Sequence, residues 1–170
     1  MLWKNKGVLV LLDALKILKE RGYSFVCNFV GGETAEIDAT RFAEEVEKRG
    51  LNNMAIYLGK KYGAEKNEEY RKSDVFVFPS LNEAFPLVNL EAMEFKLPIV
   101  ASGVGGVTAE IKDGENGGET CEVVLQYLLQ SLAATHQGDE HKHAPEHAEA
   151  REQTAALVPR DGIENLFICI

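Results

Sequence analysis

The chain has 170 residues, of which 45% are hydrophobic, 26% charged and 8% aromatic. These proportions suit one globular domain with a buried core and exclude collagen-like, mucin-like and disulfide-scaffold proteins. The 18 Lys and Arg against 27 Asp and Glu leave a net charge of −9, which argues against a nucleic-acid backbone as partner but allows a local pocket for a small anion.

The first predicted element is a helix over Lys6 to Arg21, with Leu11, Leu12, Leu15 and Leu18 at helical spacing and Gly22 as its stop. Tyr23 to Val30 is β-branched and aromatic and ends in Gly31-Gly32, as a buried strand does. Thr34 to Arg49 is a charged helix with Ile37, Phe42 and Val46 facing inward, closed by Gly50. Asn53 to Leu58 is a second strand, Lys60 to Lys66 a polar loop, and Asn67 to Lys72 a short helix. Asp74 to Phe78 is a third strand, wholly apolar after its opening Asp74. Pro86 to Lys96 is a helix with proline in its first turn, where a missing N–H costs nothing. Leu97 to Ala101 is a fourth strand, and Ser102 to Thr108 a glycine-rich turn into a helix ending at Asp113-Gly114.

Beyond Glu119 the texture changes. Cys121 to Ala134 is an amphipathic helix, Thr135 to His147 is polar and His-rich, and Ala148 to Ile170 reads as one or two helices broken near Pro159 to Gly162. Apolar strands alternating with helices predict a parallel α/β sheet covered on both faces. Such sheets bind ligands beyond the carboxyl ends of their strands, so the loops that follow strands hold the candidate site.

Glu83 lies in the loop after the third strand, and Glu91 stands eight positions later inside the helix that begins near Pro86. Between them the N–H groups of Phe85, Leu87 and Val88 sit at a helix N-terminus, which accepts phosphate. Gly105 and Gly106 open a second helix at the same rim and let backbone approach closely. Carboxylates beside an anion site make sense for a sugar nucleotide: the acids accept hydrogen bonds from ribose or sugar hydroxyls, while amides hold the diphosphate. Lys6, opening the first helix, adds a cation for a phosphate. Taken singly, Glu83 and Glu91 read as a loop charge and a solvated helix charge. Lys6 is as easily a surface lysine, since Lys4 is close by and a cation opposes the helix dipole there.

The ordered set Tyr70 to Ser80, Glu83, Glu91-Ala92-Met93, Pro98 to Ser102 and Gly105-Gly106, together with Lys6-Gly7, resembles the carboxyl-terminal donor-binding domain of retaining GT-B glycosyltransferases of family 4, the glycosyl transferases group 1. The resemblance implies a Rossmann-like parallel sheet with helices on both faces. It implies one sugar-nucleotide-binding domain over residues 1–170, with a family-like core at 4–118 and a divergent helical tail at 119–170. The implied reaction moves a sugar from a nucleotide diphosphate-sugar to a glycan or lipid-linked acceptor with retention of configuration. By the same resemblance Glu91 holds the nucleotide ribose, Glu83 stands beside the donor sugar as the catalytic carboxylate, and Lys6 binds phosphate. The amides of Phe85, Leu87 and Val88 lie over sugar and diphosphate, and the backbone around Tyr57-Leu58-Gly59 reads the base.

Some features depart from the family pattern. The arginine expected several residues before Lys6 falls ahead of Met1, and the amino-terminal acceptor domain is absent, so the chain alone is expected to be inactive. Ala84 and Pro86 stand where glycines are common, and Glu119 to Glu122 replaces an apolar strand. An apolar edge at Met1-Leu2-Trp3 is expected to favour a homodimer. No Asp-x-Asp pair is present, so neither a metal nor any other cofactor is expected. A dinucleotide reading fails for want of a Gly-x-Gly-x-x-Gly after the first strand. His136, His141, His143 and His147 sit in a polar loop without cysteine or ordered carboxylate ligands, a poor metal site. Three widely spaced cysteines, no secretory signal and no membrane-length apolar run fit a reducing cytoplasm. The rival reading is a non-catalytic α/β interaction module. A receiver-like domain is disfavoured because no acidic cluster ends the first strand.

Overall fold

The computed structural model describes residues 6–33, 37–111 and 165–169, the last by backbone. In chain order the elements are α1 (Val8–Glu20), β1 (Val26–Val30), α2 (Ala39–Lys48), β2 (Ala55–Gly59), α3 (Gly63–Lys72), β3 (Val75–Phe78), α4 (Leu87–Glu94), β4 (Ile99–Ala101), α5 (Val107–Glu110) and β5 (Asn165–Cys169). The five strands form one sheet in the order β2-β1-β5-β3-β4, and every adjacent pair is parallel. The Rossmann-like α/β arrangement expected from the alternation is present.

The pleat explains why both faces are covered. Along β3, Val75 and Val77 join the cluster built by α1 and α2, with Leu11, Leu12, Leu15, Phe42 and Val46. Phe76 and Phe78 point the other way, into a cluster with Tyr70 of α3, Ala92 of α4 and Val107 of α5. Each fully buried leucine of α1 contributes roughly 1.5–3 kcal/mol. Cys27 lies within the first cluster, where burial pushes its thiol well above its ordinary value, so it is the core residue its strand position suggests. At the ends of α1 and α2, Tyr23 N–H and Leu51 N–H reach back to the carbonyls of Leu18 and Val46, so Gly22 and Gly50 do act as helix stops.

Three elements differ from expectation. Helix α3 starts at Gly63, so Lys66 lies inside it and not in a loop. Ile37 is buried but precedes α2, whose N-cap is Asp38, its side chain accepting from Arg41 N–H at 2.8 Å. The largest difference concerns the tail. Asn165–Cys169 is not helical: it is the central strand, paired with β1 through Val26↔Asn165 to Val30↔Cys169 and with β3 through Val75↔Leu166 and Phe76↔Phe167. Among the described residues the sheet edges are β2 and β4. The helix predicted over 121–134 and the His-rich segment lie outside the described residues, as do Met1 to Trp3.

Helices α1 and α2 are clasped by Arg49. Its Nε donates to Asp13 at 2.7 Å, and its Nη1 donates to the Glu45 carboxylate at 2.6 Å. Hydrogen bonds from Lys48 and then from Arg49 hold the Glu45 carboxyl down at about 2, from an ordinary 4.5. A depressed carboxylate stabilises the fold above its unfolded pKa and loses that contribution as pH falls through the folded value. Arg49→Met is therefore expected to cost about 1 kcal/mol in urea denaturation at pH 7. The difference from wild type should narrow as pH falls from 4.5 towards 2; a constant difference would show that the clasp acts without Glu45.

Candidate functional site

The strand order reverses direction at the sheet centre: β1 and β2 lie on one side of β5, β3 and β4 on the other. That reversal opens a crevice outside the carboxyl ends of the strands. Gly7, the loop from Pro79 to Pro86, and the turn from Ser102 to Gly106 meet there.

Gly7 has φ 71°, and a Cβ on it would lie 1.9 Å from the Pro79 carbonyl oxygen. Only a bare Cα lets the turn before α1 rest on the end of β3. This contact brings Lys6 beside Glu83, and the two form an ion pair with side chains 23% and 17% exposed. The Lys6 ammonium also stands 5.3 Å from the centre of the Phe78 ring. Ser80 Oγ is 3.5 Å from Glu83 Oε2, and Ser102 Oγ donates to the Ser80 carbonyl, which ties the ends of β3 and β4 together. The Glu83 carboxylate thus has Lys6 as its principal partner and Ser80 beside it.

Gly105 and Gly106 face the same loop. Cβ atoms on them would lie 1.9 Å from the Glu83 carbonyl oxygen and 1.7 Å from that of Ala84. Gly106 N–H donates to the Glu83 carbonyl at 3.2 Å. The close approach these glycines permit is to the protein's own Glu83-Ala84 backbone, which they brace. Helix α5 behind them has only four residues.

Helix α4 begins at Leu87. Pro86 is its N-cap, no side chain caps it, and no acidic residue stands in its first turn. The N–H groups of Leu87 and Val88 therefore belong to an uncapped helix N-terminus, which carries partial positive charge. The N–H of Phe85 lies in the preceding loop. The Phe85 and Leu87 side chains are 56% and 65% exposed, whereas Val88 packs on the second core cluster.

Glu91, one turn into α4, anchors a second group. Lys66 Nζ donates to both of its carboxylate oxygens, at 2.7 and 2.8 Å, and Tyr70 Oη donates to one of them at 2.9 Å. Lys66 and Tyr70 are four residues apart on α3, hence on one face. Sequence reasoning missed both; their i, i+4 spacing becomes a signal only once α3 is known to start at Gly63. Leu58 packs its side chain on the second cluster, and β2 is tied to the loop after β1 by Tyr57 Oη donating to the Gly31 carbonyl at 2.9 Å. The structure therefore gathers Lys6 with Glu83, and Lys66 with Glu91, at either end of the α4 N-terminal turn. Among the described residues no three His, Cys, Asp or Glu side chains converge, and no helix is long and apolar enough to cross a membrane.

The sequence from residue 2 to residue 120 matches the model of the glycosyl transferases group 1. The chain belongs to that family. A sulfoquinovosyl transferase of Arabidopsis thaliana is 38% identical over 76 residues, covering 45% of this chain and 15% of that protein. The D-inositol 3-phosphate glycosyltransferase of Corynebacterium glutamicum is 32% identical over 118 residues, covering 66% of this chain and 28% of its own. The matches thus span well under a third of these relatives' lengths. Among solved structures, Anabaena HepE in complex with UDP superposes with a TM-score of 0.61 at 24% identity, over 80% of this chain and 38% of that one. A chain of the GtfA/B complex does so with 0.58 at 20% identity, over 81% and 28%. The group 1 domain therefore has the parallel α/β fold of GT-B glycosyltransferases, and its two ion-paired glutamates lie within the matched segment.

Proposed function

We propose that this group 1 domain is the donor-binding half of a retaining glycosyltransferase, binding a nucleotide diphosphate-sugar and passing the sugar to a glycan or lipid-linked acceptor held by a separate acceptor domain. The observation that carries it is the uncapped N-terminus of α4 set between two ion-paired glutamates at the strand-order reversal. In this reading the amides of Leu87 and Val88, with Phe85 in the loop before them, receive the diphosphate and Lys6 adds a cation. Glu91 accepts hydrogen bonds from the ribose diol. Glu83 stands at the donor sugar, and backbone around Leu58 meets the base.

Bond breaking leaves negative charge on the diphosphate. Oriented dipoles and a fixed ammonium stabilise that charge without reorganising at the moment of reaction. The proposal assigns no metal to this task. It includes a cytoplasmic setting, in which the three cysteines stay reduced, and inactivity of the chain on its own. The structural kinship to HepE, itself solved with UDP, supports the nucleotide assignment.

The test is calorimetry of the full chain with UDP, GDP and their sugars. Binding of one nucleotide class is expected, and Glu91→Ala should weaken it by about 1–3 kcal/mol, or roughly 5- to 150-fold. Failure of every nucleotide to bind would favour a non-catalytic interaction module.

A further inference from the structure

We infer that Lys66 is part of the diol-recognition site: it aims the Glu91 carboxylate and supplies a donor of its own to the same hydroxyl pair. The inference rests on the proposal that Glu91 meets a ribose. An ammonium has three N–H groups and no acceptor, and a carboxylate has only acceptor sites, about four of them. Lys66 spends two contacts on Glu91, at 2.7 and 2.8 Å, and Tyr70 adds a third to Oε2 at 2.9 Å. That leaves Lys66 one N–H, and leaves Oε1 with acceptor capacity beyond its bond from Lys66.

A hydroxyl is both donor and acceptor, so it fits such a pair: it donates to Glu91 and accepts from Lys66. A lone carboxylate serves only the first half of that exchange. The pair is also partly desolvated, with Lys66 22% and Glu91 34% exposed. Partial burial strengthens charge-assisted hydrogen bonds relative to those in water.

Charge gives a second reason. The uncapped end of α4 is the site's anion receptor, and an uncompensated Glu91 one turn away would repel the arriving diphosphate. Lys66 cancels that charge, as Lys6 cancels Glu83 at the other end. Tyr70 is fully buried and cannot follow the ligand; Lys66, reaching in from the surface of α3, can shift its ammonium towards a hydroxyl.

The experiment compares UDP and GDP with their 2′,3′-dideoxy forms, by calorimetry on the full chain. Wild type is expected to prefer the ribonucleotide by about tenfold or more, the value of one charge-assisted hydrogen bond. Lys66→Met should reduce that preference to about twofold, with a smaller loss of dideoxy affinity as the uncompensated Glu91 meets the diphosphate, and Lys66→Arg should restore most of both. Lys66→Leu carries the same test if the methionine variant fails to fold. An equal loss of affinity for both forms would overturn the inference, because it would show a merely structural lysine. A full ribose preference in Lys66→Met would also overturn it, and if Glu91→Ala still abolished that preference, the reading of Glu91 would stand. A wild-type protein that binds nucleotide without preferring ribose would overturn both.

Discussion

Phe167→Pro is expected to abolish the cooperative unfolding of the domain. Phe167 lies in β5, which pairs with β1 on one side and β3 on the other. In a strand flanked on both sides, every backbone N–H faces one neighbour or the other, so proline removes a ladder hydrogen bond wherever it stands. The direct loss, a ladder hydrogen bond with its acceptor left unsatisfied, is about 1–3 kcal/mol, a sizeable part of the roughly 5–15 kcal/mol that holds an ordinary domain. The indirect loss adds to it. Without β5 the sheet falls into two pairs, β2-β1 and β3-β4, joined only by the helices that bridge them. Helix α1 is one such bridge, since Cys27 and Phe29 of β1 and Val75 and Val77 of β3 share its core cluster. Urea denaturation followed by circular dichroism should show a broad, early transition. An unchanged midpoint would mean that the sheet does not depend on its fifth strand.

Gly106→Ala should damage both the fold and the site. The added methyl would lie 1.7 Å from the Ala84 carbonyl oxygen and 2.8 Å from its carbon. The obstacle is backbone, so no rotamer change relieves it. Either the turn before α5 or the loop from Glu83 to Phe85 must move, at a cost of about 3 kcal/mol. Gly106 N–H also donates to the Glu83 carbonyl, so displacement carries Glu83 away from Lys6. A lowered denaturation midpoint together with lost nucleotide binding is the expected result. Normal stability and normal binding would show that the two loops are not in contact.

Much of the layered fold was legible from the chain because its signals are local. The leucines of α1 recur at helical spacing, and Gly22 and Gly50 stop their helices. The all-apolar run of β3 reports burial on both faces. Helix α4 was legible only in part. It ends at Glu94, with Phe95 as C-cap and Lys96 at φ 58°, and Leu97 N–H reaches back to the Ala92 carbonyl as a glycine-closed helix would. A left-handed lysine costs roughly 1 kcal/mol and gives no sequence signal. The start of α3 was missed because Gly63 and the lysines around it look like a loop, and nothing local shows that Tyr70 is buried against Phe76 and stacks on Phe95 at 5.2 Å.

For the site, the sequence by itself determined the residue types and their order: Glu83, Glu91, the helix start between them, the glycines at 105 and 106, and Lys6. Their arrangement follows from chain connectivity over short distances. Tertiary structure alone decided the partners. Lys6 meets Glu83 because Gly7 lets α1 back onto Pro79, and Lys66 meets Glu91 because α3 and α4 pack side by side over Tyr70. It alone placed Asn165–Cys169 at the sheet centre, since a five-residue apolar strand carries no information about which neighbours will accept it. Pairings between residues 25 or 77 positions apart depend on how elements pack, and no periodicity within one segment encodes that.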